Sequence, residues 1–419
     1  MLSLILAPVL APVLAASLTA LALPSGATHD VGDEQGTIGN SWSVHAERVY
    51  TSTGEVLKNA LVEISDGKLT SVRPGRSAPQ DALRVKALTA GMIDLSARVN
   101  TGRSSVEQTS EVQPTLEVAN SIDLYDLAWA RLARSGVTTV LVNPLDQNVI
   151  GGRGVLLKTA GPESVAARTV KSRGVVRGAI GRQPSDGNHA AFGRPTDFFS
   201  RRPTTRMGVE WEWRKAFFDA VAAPRLPEVD FPGSEELRAV LAGERVLIIQ
   251  AWATQDIRTA VYLKEEMQAE GFGDIDLVID AGAEAWREPL LLERTDTPVI
   301  LPPYPTTGRT TDGAFMARNT ARLLIDNGIT VCLSSHGGST FATRLDRQAG
   351  HAMAGGLSFE EALAAVTINP ARILGVEDRM GSVEVGKDAD LVFWNGKPFE
   401  PTTRVIGVLI DGELVLDPR

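Results

Sequence analysis

Arg245-Val-Leu-Ile-Ile-Gln250 is a short apolar run, and an amphipathic stretch at residues 256–270 follows it. A run of this length that is rich in branched side chains predicts a strand buried on both faces. The same alternation continues on both sides of this unit. Further strands are predicted at residues 137–142, 276–280, 298–301 and 330–334, and a helix is predicted at residues 124–135. Repeated alternation of strands and helices predicts a parallel α/β barrel.

The two ends of the chain carry a different pattern of short, alternating strands. Near the start these strands are predicted at residues 43–50, 60–65 and 68–72, and near the end at residues 389–394, 405–410 and 413–416. Asp66-Gly67 and Asp411-Gly412 are hairpin turn signals. Hairpins at both ends predict one β-sandwich built from both termini. A length of 419 residues suits a barrel of about 250 residues with such a companion domain.

Composition excludes several classes of protein. The formal net charge is -9, so the chain lacks the basic surface that nucleic-acid binding requires, and no nucleic-acid partner is expected. Cys332 is the only cysteine, which excludes an intrachain disulfide. Its place in an apolar, strand-like run favours a buried thiol over a nucleophile.

Residues 1–23 are almost continuously apolar and lead into small-residue cleavage candidates at 20–22 and 25–27. This pattern predicts a signal peptide at residues 1–27 and export to the periplasm or the extracellular space. No Lys or Arg precedes the apolar run, which approaches the length of a membrane span, so an N-terminal membrane anchor is the alternative. A polar linker is predicted at residues 28–40.

Residues 181–235 are rich in Pro, Gly, Arg and aromatic side chains without a clear period, which predicts an irregular insertion over the barrel mouth. The predicted domains follow from these patterns. They are a first sandwich part at 41–88, the barrel at 89–379 and a second sandwich part at 380–419.

Four stretches carry a family resemblance. Two of them are Leu88-Thr-Ala-Gly-Met-Ile-Asp-Leu-Ser-Ala-Arg98 and Gly136-Val-Thr-Thr-Val140; the others are the loop-like residues 148–158 and the closing residues 357–392. Together they resemble the amidohydrolase superfamily, and the nearest branch is the imidazolonepropionase-like proteins. The resemblance implies a (β/α)8 TIM-type barrel with a small β-sandwich. It also implies hydrolysis of carbon–nitrogen bonds other than peptide bonds, assisted by a divalent metal such as zinc.

The resemblance also implies where metal ligands should stand, and those positions are substituted. They hold, in chain order, Ser96, Arg98, Gln250, Ala281 and His336. Serine is a poor ligand for such a metal, and arginine has no free lone pair to offer. The five histidines show no metal-ligand spacing elsewhere; they are His29, His45, His189, His336 and His351. No metal site and no cofactor are therefore expected.

Arg98, Asp280 and His336 are the candidate catalytic residues. In one interpretation Arg98 supplies the positive charge of the missing metal and binds a small anionic or amide-like ligand, while His336 acts as a general base. In the other interpretation, which we favour, Arg98 pairs with Asp280 or a neighbouring carboxylate and fills a vacated polar cavity. Lys158 is expected to be an ordinary ion-pairing lysine. The aromatic residues just past strand ends are candidates either for a pocket lining or for the core; they are Trp252, Trp286 and Tyr304.

Two function classes follow from these residues. The leading hypothesis is an exported amidohydrolase-like pseudoenzyme with a degenerate active site. It would act as a binding or partner subunit, in a homo-oligomer or in a hetero-oligomer with an active relative. The alternative is an active hydrolase that uses either a metal-free site of Arg98, Asp280 and His336 or metal ligands that the sequence does not reveal.

Overall fold

A computed structural model describes residues 41–97, 99, 106–107, 109–170, 173–186, 202–305, 311–336 and 343–418. The signal peptide predicted at residues 1–27 and the linker predicted at 28–40 lie outside the described residues. The same is true of the candidate Arg98 and of His29 and His189.

One seven-stranded sheet joins the two ends of the chain. Its strands are β1 (Trp42–Tyr50), β2 (Val56–Ser65), β3 (Lys68–Arg73), β4 (Leu83–Ala90), β13 (Leu391–Trp394), β14 (Val405–Ile410) and β15 (Glu413–Leu416). They lie in the order β15-β14-β13-β4-β1-β2-β3. Strands β4 and β13 are the point of contact, with Ala90 opposite Leu391 in antiparallel register. The prediction that both termini build one β-domain is confirmed.

A second sheet of eight strands forms the barrel. Its strands are β5 (Met92–Asp94), β6 (Val137–Val142), β7 (Ile150–Lys158), β8 (Val175–Ala179), β9 (Val246–Gln250), β10 (Leu277–Asp280), β11 (Val299–Leu301) and β12 (Val331–Leu333), and they follow one another in chain order. The chain passes from one sheet to the other at Gly91, where a Cβ atom would lie 2.0 Å from Thr138 Oγ1. Only glycine fits this crossing. The predicted barrel is confirmed.

Strand β7 departs from the all-parallel expectation. It runs antiparallel to both of its neighbours, β6 and β8. Residues 148–158 were expected to be a loop, and that expectation is wrong for Ile150–Lys158. Strand β7 was not predicted because its glycines are typical of loops. In the structure they allow close approach, since a Cβ on Gly152 would lie 2.5 Å from the Leu116 carbonyl oxygen.

Helices cover the outside of the barrel. They are α1 (Leu127–Arg134), α2 (Val165–Arg168), α3 (Gln183–Asp186), α4 (Arg206–Ala222), α5 (Ser234–Leu241), α6 (Thr254–Ala269), α7 (Pro289–Arg294), α8 (Thr320–Asp326), α9 (Leu345–Ala354), α10 (Phe359–Val366) and α11 (Ile368–Leu374). Short 3-10 helices lie at Val118–Ser121, Pro227–Val229, Ala285–Arg287 and Thr311–Gly313. Among the described helices, none combines the length and apolar composition needed to cross a bilayer.

Helix α4 corrects the prediction of an irregular insertion at residues 181–235. It is 17 residues long and buries Trp213 and Phe217 completely against the barrel. Gly178 on β8 makes room for Trp213, because a Cβ there would lie 2.4 Å from the indole ring. Apolar residues spread around the circumference of this helix, so no single amphipathic stripe marked it in the sequence.

The barrel interior is an apolar cluster capped by polar side chains. Ile93, Leu141, Val246, Ile248 and Val278 belong to this cluster. Since successive side chains of a strand point to opposite faces, residues two positions further along β9 and β10 point inward as well. Those residues are polar, and they lie at the carboxyl ends of the parallel strands.

Candidate functional site

Gln250 and Asp280 end neighbouring strands at the barrel mouth. The two residues are register partners across β9 and β10, and each is almost completely buried. Gln250 continues the inward row of Val246 and Ile248, and Asp280 continues the row of Val278. Strand alternation thus places an amide and a carboxylate side by side above the apolar interior.

Arg177 is the buried cation of this mouth. It lies on β8, and its side chain is 2% exposed. Its Nε donates to Asp146 Oδ1 at 2.7 Å and its Nη2 donates to Asp280 Oδ2 at 2.5 Å. Burial alone would lower the pKa of this guanidinium, but the two aspartates hold its pKa above the ordinary value. Arg177 therefore stays charged.

Asp280 accepts four hydrogen bonds. One carboxylate oxygen accepts from Arg177 and from Ser96 Oγ at 2.7 Å, and the other accepts from the backbone N–H of Ala281 at 2.8 Å and faces His336. Burial by itself would raise the pKa of Asp280. The charge of Arg177, together with the hydrogen bonds from His336 and Ser96, instead holds that pKa well below the usual range. Asp280 is therefore a fully engaged carboxylate.

Asp146 joins the network from the loop after β6. Besides Arg177, it accepts a hydrogen bond of 2.6 Å from Gln250 Nε2. Asp146, Arg177, Asp280 and Gln250 are consequently linked in one chain of hydrogen bonds. A buried charge is tolerated when such partners are present.

His336 closes the network at the side facing the mouth. Its Nε2 lies 3.2 Å from Asp280 Oδ1. Because ionised Asp280 can only accept, Nε2 carries the proton, and in the neutral ring Nδ1 is left as the acceptor. The residue has a left-handed backbone with φ of 47°, and its ring packs edge-on against Trp252 with centroids 5.5 Å apart. A left-handed backbone at a residue whose side chain is oriented by such contacts is a feature of functional sites.

Asp94 joins the two outermost strands of the barrel sheet. It follows Ile93 on β5 and accepts from Ser334 Oγ at 2.8 Å, and from both the backbone N–H and the hydroxyl of Ser335 just beyond β12. The backbone N–H of Ser96 also donates to it at 3.0 Å. Through these hydrogen bonds, Asp94 connects the backbone segments that carry Ser96 and His336.

Two buried donors at the mouth have no partner among the described residues. They are Nη1 of Arg177 and Nε1 of Trp252. A buried donor without an acceptor is unfavourable by about 1–3 kcal/mol. Both atoms belong to residues in direct contact with Asp280 or His336.

The structure brings together several of the candidates named from sequence. Ser96, Gln250, Asp280 and His336 share one network, whereas Ala281 contributes only its backbone N–H. Arg98 lies outside the described residues, so its role stays a prediction.

Lys158 lies at the opposite end of the barrel, because β7 runs in reverse. It pairs with Asp388, Asp390 and Asp411. The prediction of an ordinary ion-pairing lysine is confirmed.

Arg177 and Asp146 were not predicted as site residues from the sequence. Arg177 stands in Val175-Val-Arg-Gly-Ala179, a strand that was not recognised because it is short and contains a charge and a glycine. The signal in the sequence was the positive charge of Arg177 within an otherwise apolar stretch. An arginine that follows two valines in such a strand is expected to need buried hydrogen-bond acceptors elsewhere in the chain.

The described residues at the mouth offer few ligands to a divalent metal of the expected kind. Among the described residues, no group of three or more His, Cys, Asp or Glu side chains could hold a metal ion. Both oxygens of Asp280 are engaged by donors, one of which is a fixed cation. Gln250 and Ser96 supply neutral oxygens, which bind zinc weakly.

Comparison with known families gives one match within this chain. Residues 316–415 match the family described as Amidohydrolase family. A structure of an amidohydrolase from Thermotoga maritima superposes with a TM-score of 0.77 at 27% identity, covering 89% of this chain and 99% of that protein.

Two curated relatives extend this comparison. Amidohydrolase tasK from Hapsidospora irregularis is 26% identical over 407 residues, which cover 87% of this chain. The chain spans only 40% of the length of that relative. An imidazolonepropionase from Pseudomonas aeruginosa is 62% identical over 39 residues, or 9% of this chain and 10% of the relative.

Proposed function

We propose that the barrel mouth of this chain is a ligand-binding site that lacks the metal-assisted hydrolysis of the amidohydrolase family. The proposal starts from the similarity of residues 316–415 to that family and of the fold to an amidohydrolase structure. The observation that carries this proposal is the bridge from Arg177 to Asp146 and Asp280. A fixed guanidinium competes with any metal for the same carboxylates. The substitutions at Ser96, Gln250 and Ala281 leave few other ligands.

The unpartnered donors support a binding role. Arg177 Nη1 and Trp252 Nε1 would each gain a hydrogen bond from a ligand that presents oxygen acceptors. Such a ligand is a small anionic or amide-like molecule. His336 Nδ1 would accept from an N–H or O–H of the same molecule.

Elemental analysis of the purified protein tests the loss of the metal. The protein is dialysed against trace zinc without chelators, and the dialysis buffer is the blank. We expect far less than one equivalent of bound metal in folded protein. Near-stoichiometric metal that disappears in His336→Ala would place a metal at the mouth and overturn the proposal.

A second candidate function is metal-free hydrolysis of non-peptide carbon–nitrogen bonds. It is favoured by the contact of His336 Nε2 with Asp280 Oδ1 at 3.2 Å, which orients the ring as a general base. The test is turnover of a panel of cyclic and linear amides with a chelator present. His336→Ala should then lower kcat by about 100-fold or more. His45 is a half-buried histidine on β1, in the other sheet, so His45→Ala is the matched control and should not change kcat.

A partner-subunit role is a further proposal. Met207 and Trp211 are exposed large apolar side chains four residues apart on α4, so they lie on one helix face. Light scattering on the full chain, alone and with an active relative, tests for association. A monomer that forms no complex would contradict this role.

Export stays a prediction that rests on residues 1–27. Protein recovered outside the cytoplasm with its N-terminus near residue 28 would support it. Retention of the intact leader in the membrane fraction would favour the anchor instead.

A further inference from the structure

Arg177 presents its guanidinium as a fork to two buried carboxylates from different parts of the chain. Nε faces Asp146 and Nη2 faces Asp280, at 2.7 and 2.5 Å. Both aspartates are almost completely buried. Two carboxylates so close together and so poorly hydrated cannot both stay ionised unless a cation lies between them.

We infer that Arg177 is a built-in cation that does for these carboxylates what a bound ion would do, and that its removal opens a cation-binding site. This inference rests on the proposed absence of a resident metal. It adds to that proposal the group that compensates the buried charges of Asp146 and Asp280.

Arg177 acts on the mouth through Asp280. With Arg177 in place, Asp280 remains ionised and accepts from Ser96 Oγ and His336 Nε2. The orientation of the imidazole therefore depends on a residue that does not touch it. Arg177 is a positioning residue in this arrangement.

Arg168 shows that burial of an arginine does not by itself imply this role. It is nearly buried too, but it donates to the backbone carbonyls of Pro162, Thr159 and Gly161. These acceptors are neutral. Its removal would leave carbonyl groups and no pair of buried charges, which makes Arg168→Ala a matched control.

The experiment is chemical rescue of Arg177→Ala by guanidinium. Thermal unfolding is measured with guanidinium chloride at low, non-denaturing concentrations, about 50 mM, and with equal sodium chloride. We expect Arg177→Ala to lower Tm by about 10 °C and guanidinium to restore a substantial, saturable part of that loss. The wild-type protein and Arg168→Ala should show no such rise.

A guanidinium response of Arg177→Ala no larger than that of Arg168→Ala would overturn the inference. If Arg177→Ala does not fold, the double variant Arg177→Ala/Asp280→Asn provides the test. Since this pair removes one buried anion with the cation, it should be more soluble and more stable than Arg177→Ala. No gain would again overturn the inference.

The two proposals can fail separately. Metal content of the wild-type protein tests the proposed function. The guanidinium response of Arg177→Ala tests the built-in cation, whatever the wild-type metal content is.

Discussion

Arg177 at the barrel mouth and Lys158 at the opposite end are both buried cations held by aspartates, but their surroundings differ. Lys158 Nζ meets Asp388, Asp390 and Asp411, all of which belong to the C-terminal part of the β-domain. Asp388 has two further cations, Lys68 and Arg379, and the Asp411 side chain is 52% exposed. The carboxylates that Arg177 binds are both buried.

The difference separates an ion cluster that connects two parts of the fold from the site that we propose binds a ligand. The Lys158 cluster ties the end of β7 to the β-domain and shares its charges with solvent and with other cations. Arg177 instead supports the carboxylate that orients His336. A buried ion pair is no evidence of function until its partners are followed to the groups they position.

The largest expected effect is loss of stability on replacing either cation with methionine. Arg177→Met should lower the free energy of unfolding by about 3–5 kcal/mol, because two buried carboxylates lose their counter-charge. Lys158→Met should cost about half as much. Asp388 keeps Lys68 and Arg379 in that variant, and Asp411 stays hydrated. Urea unfolding at neutral pH measures both.

If Lys158→Met loses as much free energy of unfolding as Arg177→Met, or more, the proposed difference between the two ends of the barrel is wrong. Circular dichroism of each variant checks that the folded states being compared retain native secondary structure.

A smaller effect is expected in the pH dependence of stability, with opposite signs for Asp280 at the mouth and Asp390 at the opposite end. The pKa of Asp280 in the folded protein is held well below its unfolded value, so its ionised form contributes stability above about pH 4 that is lost on acidification. Burial and the nearby Asp411 raise the pKa of Asp390, so its contribution is present at low pH and is lost as pH rises above about 4.

Asp280→Asn should therefore shrink the loss of stability between pH 6 and pH 3 by about 1 kcal/mol. Asp390→Asn should enlarge that loss. Urea midpoints across this pH range measure both variants. Changes of the same sign in the two would refute the assigned pKa directions.

The smallest effect belongs to an exposed ion pair. Arg214 on α4 binds Glu266 on α6, and both side chains are partly exposed. Arg214→Ala should change the free energy of unfolding by less than about 0.5 kcal/mol, because solvent screens such pairs. It serves as the baseline in the same urea assay. A loss comparable with that of Lys158→Met would mean that burial does not set the order of these effects.

Prediction from sequence succeeded where a local pattern was strong. Strands at residues 137–142, 405–410 and 413–416 have the predicted bounds, and helix α6 lies within two residues of its prediction. It failed at β7, where glycines imitate a loop, and at α4, where apolar residues surround the helix. Tertiary packing decides both elements, and no local period reports it.

The sequence alone identified Gln250 and Asp280 as residues of the barrel mouth, and the substituted positions were visible in it. The tertiary structure decided which cation meets these residues. Arg177 and Asp280 are 103 positions apart, and Asp146 comes from a third segment. A charge pattern shows that a buried arginine needs hydrogen-bond acceptors. Only strand order and direction decide that two carboxylates reach Arg177, because its partners lie on segments that meet only when the barrel forms.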